Sequence, residues 1–178
     1  MASQTTWDID EAHSTAEFSI RHMFTSVKGH FEGISGTIVG DPADLTSADV
    51  HLSIDVATVN TRNADRDKHL RTGDFFDVEK YPAMTFVSRE IKKTGPDTYE
   101  ATGDLSMHGV TKTVTVEVTS GGQGKDPWGG TRAGFSGTIT LNRKDFGLMW
   151  NVALEAGGLM VGDQVKVSVE LETVARAS

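Results

Sequence analysis

The sequence predicts a mainly β protein, a single antiparallel β-barrel of about eight strands with a short helix covering the barrel mouth. Apolar and polar residues alternate with period two along most of the chain. Only residues 60–77 break this alternation, with a charged helical pattern. Helical crossovers are nearly absent, so hairpins must connect the strands. Residues 1–178 show neither an internal repeat nor a linker and are interpreted as one domain.

The predicted strands have one apolar face, which is typical of an antiparallel sheet with its other face in water. Their apolar positions are Phe18, Ile20 and His22; Val27 and Phe31; Val50, Leu52, Ile54 and Val56; Val114, Val116 and Val118; Phe135, Ile139 and Leu141; and Val165, Val167, Val169 and Leu171. Further strands are expected near 4–10, 84–91 and 98–107. Residues 94–97 and 108–109 are predicted turns, and the glycine-rich residues 120–130 a long hairpin loop.

The exceptional segment carries helix signals at both ends. Asn63 can cap a helix over residues 64–71, and Gly73 can end it. Acidic residues come early and cationic ones late, which suits the helix dipole. Asp74 can begin a second turn. Because an eight-stranded barrel is wide enough to be packed by side chains or to hold one small ligand, this arrangement suggests a ligand container.

Composition excludes several functional classes. The 17 basic and 25 acidic side chains leave a net charge of −8, which disfavours binding to a nucleic-acid backbone. Without cysteine, neither a disulfide nor a thiolate site is possible. No window is apolar enough for a membrane span. The N-terminus lacks the features of a secretory signal, so a cytoplasmic protein is expected, or a periplasmic or secreted one if a leader was removed.

The sequence contains no complete catalytic or metal-binding motif. Residues 145–147 read Asp-Phe-Gly but lack every other kinase motif. The six histidines show no metal-ligand spacing, and we expect no metal or cofactor and assign no catalytic residue. The enzymatic alternative is a site built from His22 with buried carboxylates such as Asp104 or Glu170.

The predicted ligand-binding residues fall into four groups. The barrel interior would be lined by Phe18, Ile20, His22, Phe31, Leu52, Ile54, Phe86, Phe135 and Leu141, and the lid would contain Leu70, Phe75 and Phe76. Phe146, Leu148 and Trp150 would either close the core under a loop or line one end of a cavity. Arg66, His69 and Arg143 are candidates for holding a polar head group. For the charged helix, a simply solvated face is the alternative.

An ordered series of short motifs resembles the YceI-like family, polyisoprenoid-binding proteins with a lipocalin-like barrel. The series runs through residues 7–10, 18–22, 27–31, 66–70, 74–77, 81–82, 103–105, 108–111, 143–148 and 161–163, and so spans essentially the whole chain. The resemblance implies non-enzymatic binding, storage or transport of a long isoprenoid or similar lipid inside the barrel. It brings no catalytic residues.

A structural or stress-related dimer with a filled barrel is the remaining alternative. An edge strand is a natural place for self-pairing, and a twofold dimer is the commonest symmetric assembly, so a homodimer is possible. The sequence does not distinguish a hollow barrel from a filled one, because both need the same inward apolar pattern.

Overall fold

A computed structural model describes residues 4–155 and 159–177, in which ten strands form one antiparallel sheet. The strands are β1 (Thr5–Ile9), β2 (Thr15–His22), β3 (Thr25–Phe31), β4 (Gly33–Asp41), β5 (Asp44–Asp55), β6 (Ala83–Lys93), β7 (Thr98–Met107), β8 (Val110–Lys125), β9 (Thr131–Asn142) and β10 (Val161–Ala175). One α-helix, α1 (Ala64–Leu70), lies between β5 and β6. Single 3-10 turns cover Glu11–His13, Val56–Thr58 and Arg143–Phe146.

The ten strands occupy eight positions around a closed barrel. The order is β1-β4-β5-β6-β7-β8-β9-β10, and β10 pairs back onto β1. Strands β1 and β2 form one interrupted strand, because both pair with β10. On their other side, β1 pairs with β4 and β2 with β3. The predicted eight-stranded antiparallel barrel with one helix is therefore confirmed.

The two ends of the barrel differ. At one end, called the closed end below, the β4–β5, β6–β7 and β8–β9 turns surround a packed core containing Trp7, Ile38, Leu45 and Tyr99. The Trp7 indole N–H donates to the carbonyl of Gly40 at 3.2 Å, so its polar atom is satisfied inside the apolar cluster. At the other end, called the mouth, lie the β2–β3 and β7–β8 turns, segment 56–82, and segment 142–161 in its described parts 142–155 and 159–161.

Segment 56–82 fills a gap in the barrel wall. Strand β4 follows β3 directly in the wall and pairs with β5. Because β5 ends at Asp55, opposite the start of β4, it does not reach β3, and the outer edge of β3 has no neighbouring strand near the mouth. Asn60 replaces that neighbour, since it exchanges two backbone hydrogen bonds with His30 at 2.9 and 3.0 Å. Helix α1 follows, and the Asn63 side chain caps it by accepting the Arg66 N–H at 2.9 Å, as predicted.

Three local expectations were wrong. Helix α1 ends at Leu70 instead of continuing to a glycine stop at Gly73. The next turn begins at Thr72, whose carbonyl accepts the Phe75 N–H at 3.0 Å, and is not capped by Asp74. The glycine-rich stretch 120–130 is mostly strand, because β8 reaches Lys125 through a register shift and leaves only 126–130 as the loop. Glycine in a strand often marks such a bulge.

A polar cluster fastens the seam where β10 closes the barrel. The Arg132 guanidinium donates to Asp10 at 2.8 Å, to Glu172 at 3.2 Å and to Asp126 at 2.9 Å. Hydrogen bonds from Arg132 and then from His13 hold the pKa of the Asp10 carboxyl at about 2. Asp10, His13 and Glu172 are close enough together to share a metal ion, but Arg132 already supplies the positive charge between the two carboxylates.

This seam predicts a specific acid sensitivity. The pKa of Asp10 is about 2 in the folded chain against an ordinary value of 3.8, so its stabilising contribution is complete above 3.8 and is lost as pH falls through about 2. Asp10→Asn is therefore expected to lower the free energy of unfolding at neutral pH and to match the wild type near pH 2. Denaturant titrations over this pH range, with the exposed Asp97→Asn as control, measure the difference. A difference that does not change with pH contradicts the assignment.

Candidate functional site

The barrel interior is hollow. A cavity of about 610 Å³ opens at the mouth and extends down between the strands toward the closed end. Inward-facing aliphatic side chains such as Val116, Val167 and Val169 are only half-buried, although they point away from the outer solvent. In a barrel filled by its own side chains these positions would be fully buried. The space between them is therefore available to a ligand.

The cavity wall contains nearly all of the residues predicted to bind a ligand. From the predicted interior, lid and loop groups, the lining residues are Phe18, Ile20, His22, Phe31, Leu52, Ile54, Leu70, Phe75, Phe76, Phe86, Phe135, Leu141, Leu148 and Trp150, and the three candidate head-group residues Arg66, His69 and Arg143 also reach it. Inward alternation of the strands brings the interior group together. Segments 56–82 and 142–161 bring the others to the mouth.

Phe146 lies outside the cavity wall. Its side chain is buried in the core cluster, and the 3-10 turn that carries it is capped by Asn142. The His108 ring bonds to the Phe146 carbonyl at 3.0 Å. Of the two interpretations of this residue, the structure therefore supports closure of the core under a loop.

The two carboxylates named in the enzymatic alternative do not lie beside His22. Asp104 contacts Arg89 at 2.9 Å and Thr113 at 3.2 Å on the outside of the barrel, and Glu170 is exposed there. His22 instead lines the cavity as the last residue of β2, so neither carboxylate lies beside it.

An aromatic cluster forms the lid of the cavity. Phe76 packs edge-on against Phe31 of the wall, with ring centroids 5.8 Å apart. Nearer the mouth, Trp150 lies 5.3 Å from Phe75 and 4.8 Å from His69, measured between centroids. These contacts bring segment 56–82 against the segment that follows β9. Such edge-to-face pairs stabilise a contact beyond the apolar area that they bury.

Polar contacts within segment 56–82, some of them buried, hold the lid in its folded shape. The Asp67 carboxylate accepts the N–H of Thr61 at 2.8 Å and its hydroxyl at 2.6 Å, and all of these groups are buried. Arg66 donates to the Thr61 hydroxyl and carbonyl, both at 2.8 Å. Arg71 donates to the carbonyl of Ala57 at 3.0 Å. The charges of α1, which in sequence suit a solvated face, therefore include part of its anchorage.

The candidate head-group cations are already engaged. Arg143 is buried and donates to the carbonyls of Gly162, Leu148 and Trp150 at 2.8, 2.6 and 2.9 Å. Burial lowers the pKa of its guanidinium, and the charge of Asp163 opposes this effect. His69 contacts Asp74 at 2.8 Å. Arg143 therefore holds the segment after β9 in place, while His69 presents its ring edge at the cavity mouth.

Several lining residues are absent from the predicted set, although the alternation of the strands includes all of them except Met160. Besides the inward valines of β8 and β10, the wall contains Met84, Leu105, Met107 and Met160. Methionine side chains adapt to irregular space, which suits the wall of a cavity for a flexible ligand. None of the helices within 4–155 and 159–177 is long and apolar enough to cross a membrane.

Comparison with known sequences places the whole barrel in one family. A family model described as the YceI-like domain matches residues 7–173. A UPF0312 protein of Pseudomonas savastanoi pv. phaseolicola is 43% identical over 149 residues, which cover 83% of this chain and 78% of the relative. A UPF0312 protein of Vibrio cholerae is 39% identical over 142 residues, covering 79% of this chain and 75% of that protein.

Solved structures agree on the fold. BcnA of Burkholderia cenocepacia superposes with a TM-score of 0.79 at 27% identity, covering 92% of this chain and 98% of BcnA. The YCEI protein of Campylobacter jejuni gives a TM-score of 0.74 at 31% identity, covering 88% of this chain and 90% of that one. A polyisoprenoid binding domain from Saccharophagus degradans gives 0.71 at 18% identity, covering 96% and 98%.

The anchorage of the lid can be tested with Asp67→Ala. Removing the carboxylate leaves the buried Thr61 N–H without its acceptor, a loss of about 1–3 kcal/mol. Because the contact fastens the segment and not the barrel, we expect faster amide hydrogen exchange in residues 60–77 with β6 to β9 unchanged. Asp65→Ala, an exposed site on the same helix, is the matched control. Equal loss of protection in all strands would show that Asp67 supports the whole fold instead.

Proposed function

The chain belongs to the YceI-like family, and we propose that it binds a long-chain lipophilic ligand, first of all a polyisoprenoid, inside its barrel and stores or carries it without catalysis. The hollow apolar cavity under an aromatic lid is the observation that carries this proposal. Cavities of this size and lining are typical of sites that enclose small hydrophobic molecules.

The size of the cavity indicates the length of chain that it encloses. At roughly 30 Å³ for each group of methylene size, 610 Å³ holds about 20 such groups. Burying that many at ~0.8 kcal/mol each gives ~16 kcal/mol of gross transfer free energy, from which the ordering of a flexible chain must be subtracted. Apolar enclosure is therefore sufficient for tight binding. A 20-carbon isoprenoid fits inside, and a longer tail extends into the mouth.

The distribution of polar groups suggests how the ligand is oriented. The closed end is apolar, with Phe135 and Ile91 in the wall above the packed core, whereas His22, Asn63 and Arg66 meet the cavity near the mouth. A lipid that enters tail first keeps its polar head among these groups and in contact with water. Such contacts orient the ligand more than they strengthen its binding.

The neighbours in structure fit this proposal without deciding the ligand. The Saccharophagus degradans domain is described as polyisoprenoid binding, but at 18% identity its likeness concerns the fold. The ligand proposed for this chain therefore rests on its own cavity and on its membership of the YceI-like family. The structural dimer with a filled barrel is disfavoured, because the interior is not filled.

Two experiments test the proposal. Organic extraction of the purified protein followed by mass spectrometry should release a lipophile in stoichiometric amount. Retinol, a fluorescent 20-carbon isoprenoid, should be bound by the extracted protein, and Val116→Trp with Val167→Trp should weaken that binding more than tenfold by filling the cavity. Fluorescence titration measures the affinity.

The matched control places the same two indoles outside. Thr115 and Lys166 neighbour the two valines on the same strands but are exposed on the outer face, so Thr115→Trp with Lys166→Trp should leave retinol affinity unchanged. Equal affinities for both double variants, or the absence of any lipophile together with no retinol binding, would show that the barrel is not a lipid container.

A further inference from the structure

Exposed apolar side chains are concentrated around the cavity mouth. Seven large hydrophobic residues are exposed among residues 4–155 and 159–177, and five of them lie at this end: Met23, Phe24, Met149, Val152 and Leu159. Phe24 is 84% exposed. A concentration of exposed apolar side chains at one end of an otherwise acidic, polar chain marks an interaction site. These five residues are called the mouth patch below.

Backbone hydrogen bonds join the two parts of the chain that carry most of the mouth patch. The N–H of Met23, at the tip of the β2–β3 hairpin, donates to the carbonyl of Met160 at 2.8 Å. The N–H of Met160 donates in turn to the carbonyl of Val152 at 2.9 Å. The hairpin tip and the segment before β10 are therefore joined by main-chain hydrogen bonds at the mouth.

The hairpin tip carries apolar residues where turn chemistry favours others. Met23 and Phe24 form a two-residue connection between β2 and β3, and Met23 adopts a left-handed φ of 52°. Glycine, asparagine and aspartate take such positions at little cost, whereas a bulky side chain there is strained. This hairpin tip presents Phe24, one of the most exposed aromatic rings of the described chain, at the mouth.

Charge at the mouth differs from charge on the chain as a whole. The connections 22–25, 56–82, 107–110 and 142–161 contain equal numbers of acidic and basic side chains, although the chain carries a net charge of −8. Arg21, next to the hairpin tip, is exposed and has no carboxylate partner among the described residues. The mouth can therefore approach an anionic surface that the rest of the protein repels.

We propose that the mouth patch docks on a lipid bilayer, with Phe24 and its apolar neighbours inserted among the acyl chains and Arg21 at the head groups. The inference rests on the proposed lipid-carrying function. A lipid of about 20 carbons released into water loses ~0.8 kcal/mol for each methylene group, so release into water is slow. Contact between the mouth and a membrane lets the ligand move between two apolar environments. A second copy seated on the patch would instead block the mouth.

Flotation with vesicles tests docking without any ligand. Wild-type protein should float with vesicles of phosphatidylcholine and phosphatidylglycerol, and Phe24→Ser should weaken that association about tenfold or more by removing the inserted ring. Trp128→Ser is the matched control, because Trp128 is 83% exposed but lies in the β8–β9 loop at the closed end. Arg21→Gln should weaken binding about fivefold on these anionic vesicles and leave binding to pure phosphatidylcholine unchanged.

Transfer kinetics separate this inference from the proposed function. Retinol transfer from wild-type protein to the vesicles should accelerate with vesicle concentration, and Phe24→Ser should slow it while equilibrium retinol binding stays the same. Retinol bound normally, with no flotation and a transfer rate independent of vesicle concentration, would overturn docking alone. Flotation without retinol binding would support docking and overturn the container. A homodimer dispersed by Phe24→Ser, in protein that does not float, would assign the patch to a second copy.

Discussion

Closure of the barrel through β10 is the constraint on which the rest of the structure depends. One face of the sheet must be removed from water. Strand β10 pairs with β1 and β2 on one side and with β9 on the other, so the sheet closes on itself and that face becomes the interior of the barrel. The Arg132 cluster fastens this seam from outside the cavity, so no charge has to enter the interior. A closed wall lined by medium-sized aliphatic residues is what leaves space inside.

The strands could be predicted from sequence because each contributes one inward and one outward row. Phe18 and Ile20 of β2, or Ile139 and Leu141 of β9, alternate with polar neighbours, and that period survives in the barrel. The Asn63 cap was equally local and was predicted correctly. The end of α1 was not, because it depends on Thr72, whose N–H and hydroxyl both donate to the carbonyl of His69, and a glycine at 73 does not reveal this contact.

Hollowness could not be predicted, because it depends on what faces each side chain across the interior. Val116 would show the same alternation in a filled barrel and in an empty one, and only the curvature of eight paired strands sets the distance that it must span. Phe146 illustrates the reverse case. Its aromatic ring suits either a cavity or a core, and the turn capped by Asn142 directs it into the core.

The way in which the lid is held indicates where a ligand enters. On its barrel side, segment 56–82 is joined to β3 by the two backbone hydrogen bonds between Asn60 and His30, and inside the segment the Asp67 carboxylate accepts buried hydrogen bonds from Thr61. On its other side it meets Trp150 through aromatic contacts, and no hydrogen bond joins it to segment 142–161 within the described residues. Separating rings costs less than leaving buried polar groups unpaired. For the proposed lipid ligand, the easiest way in is therefore between α1 and Trp150, where its own apolar surface replaces the contact that it breaks.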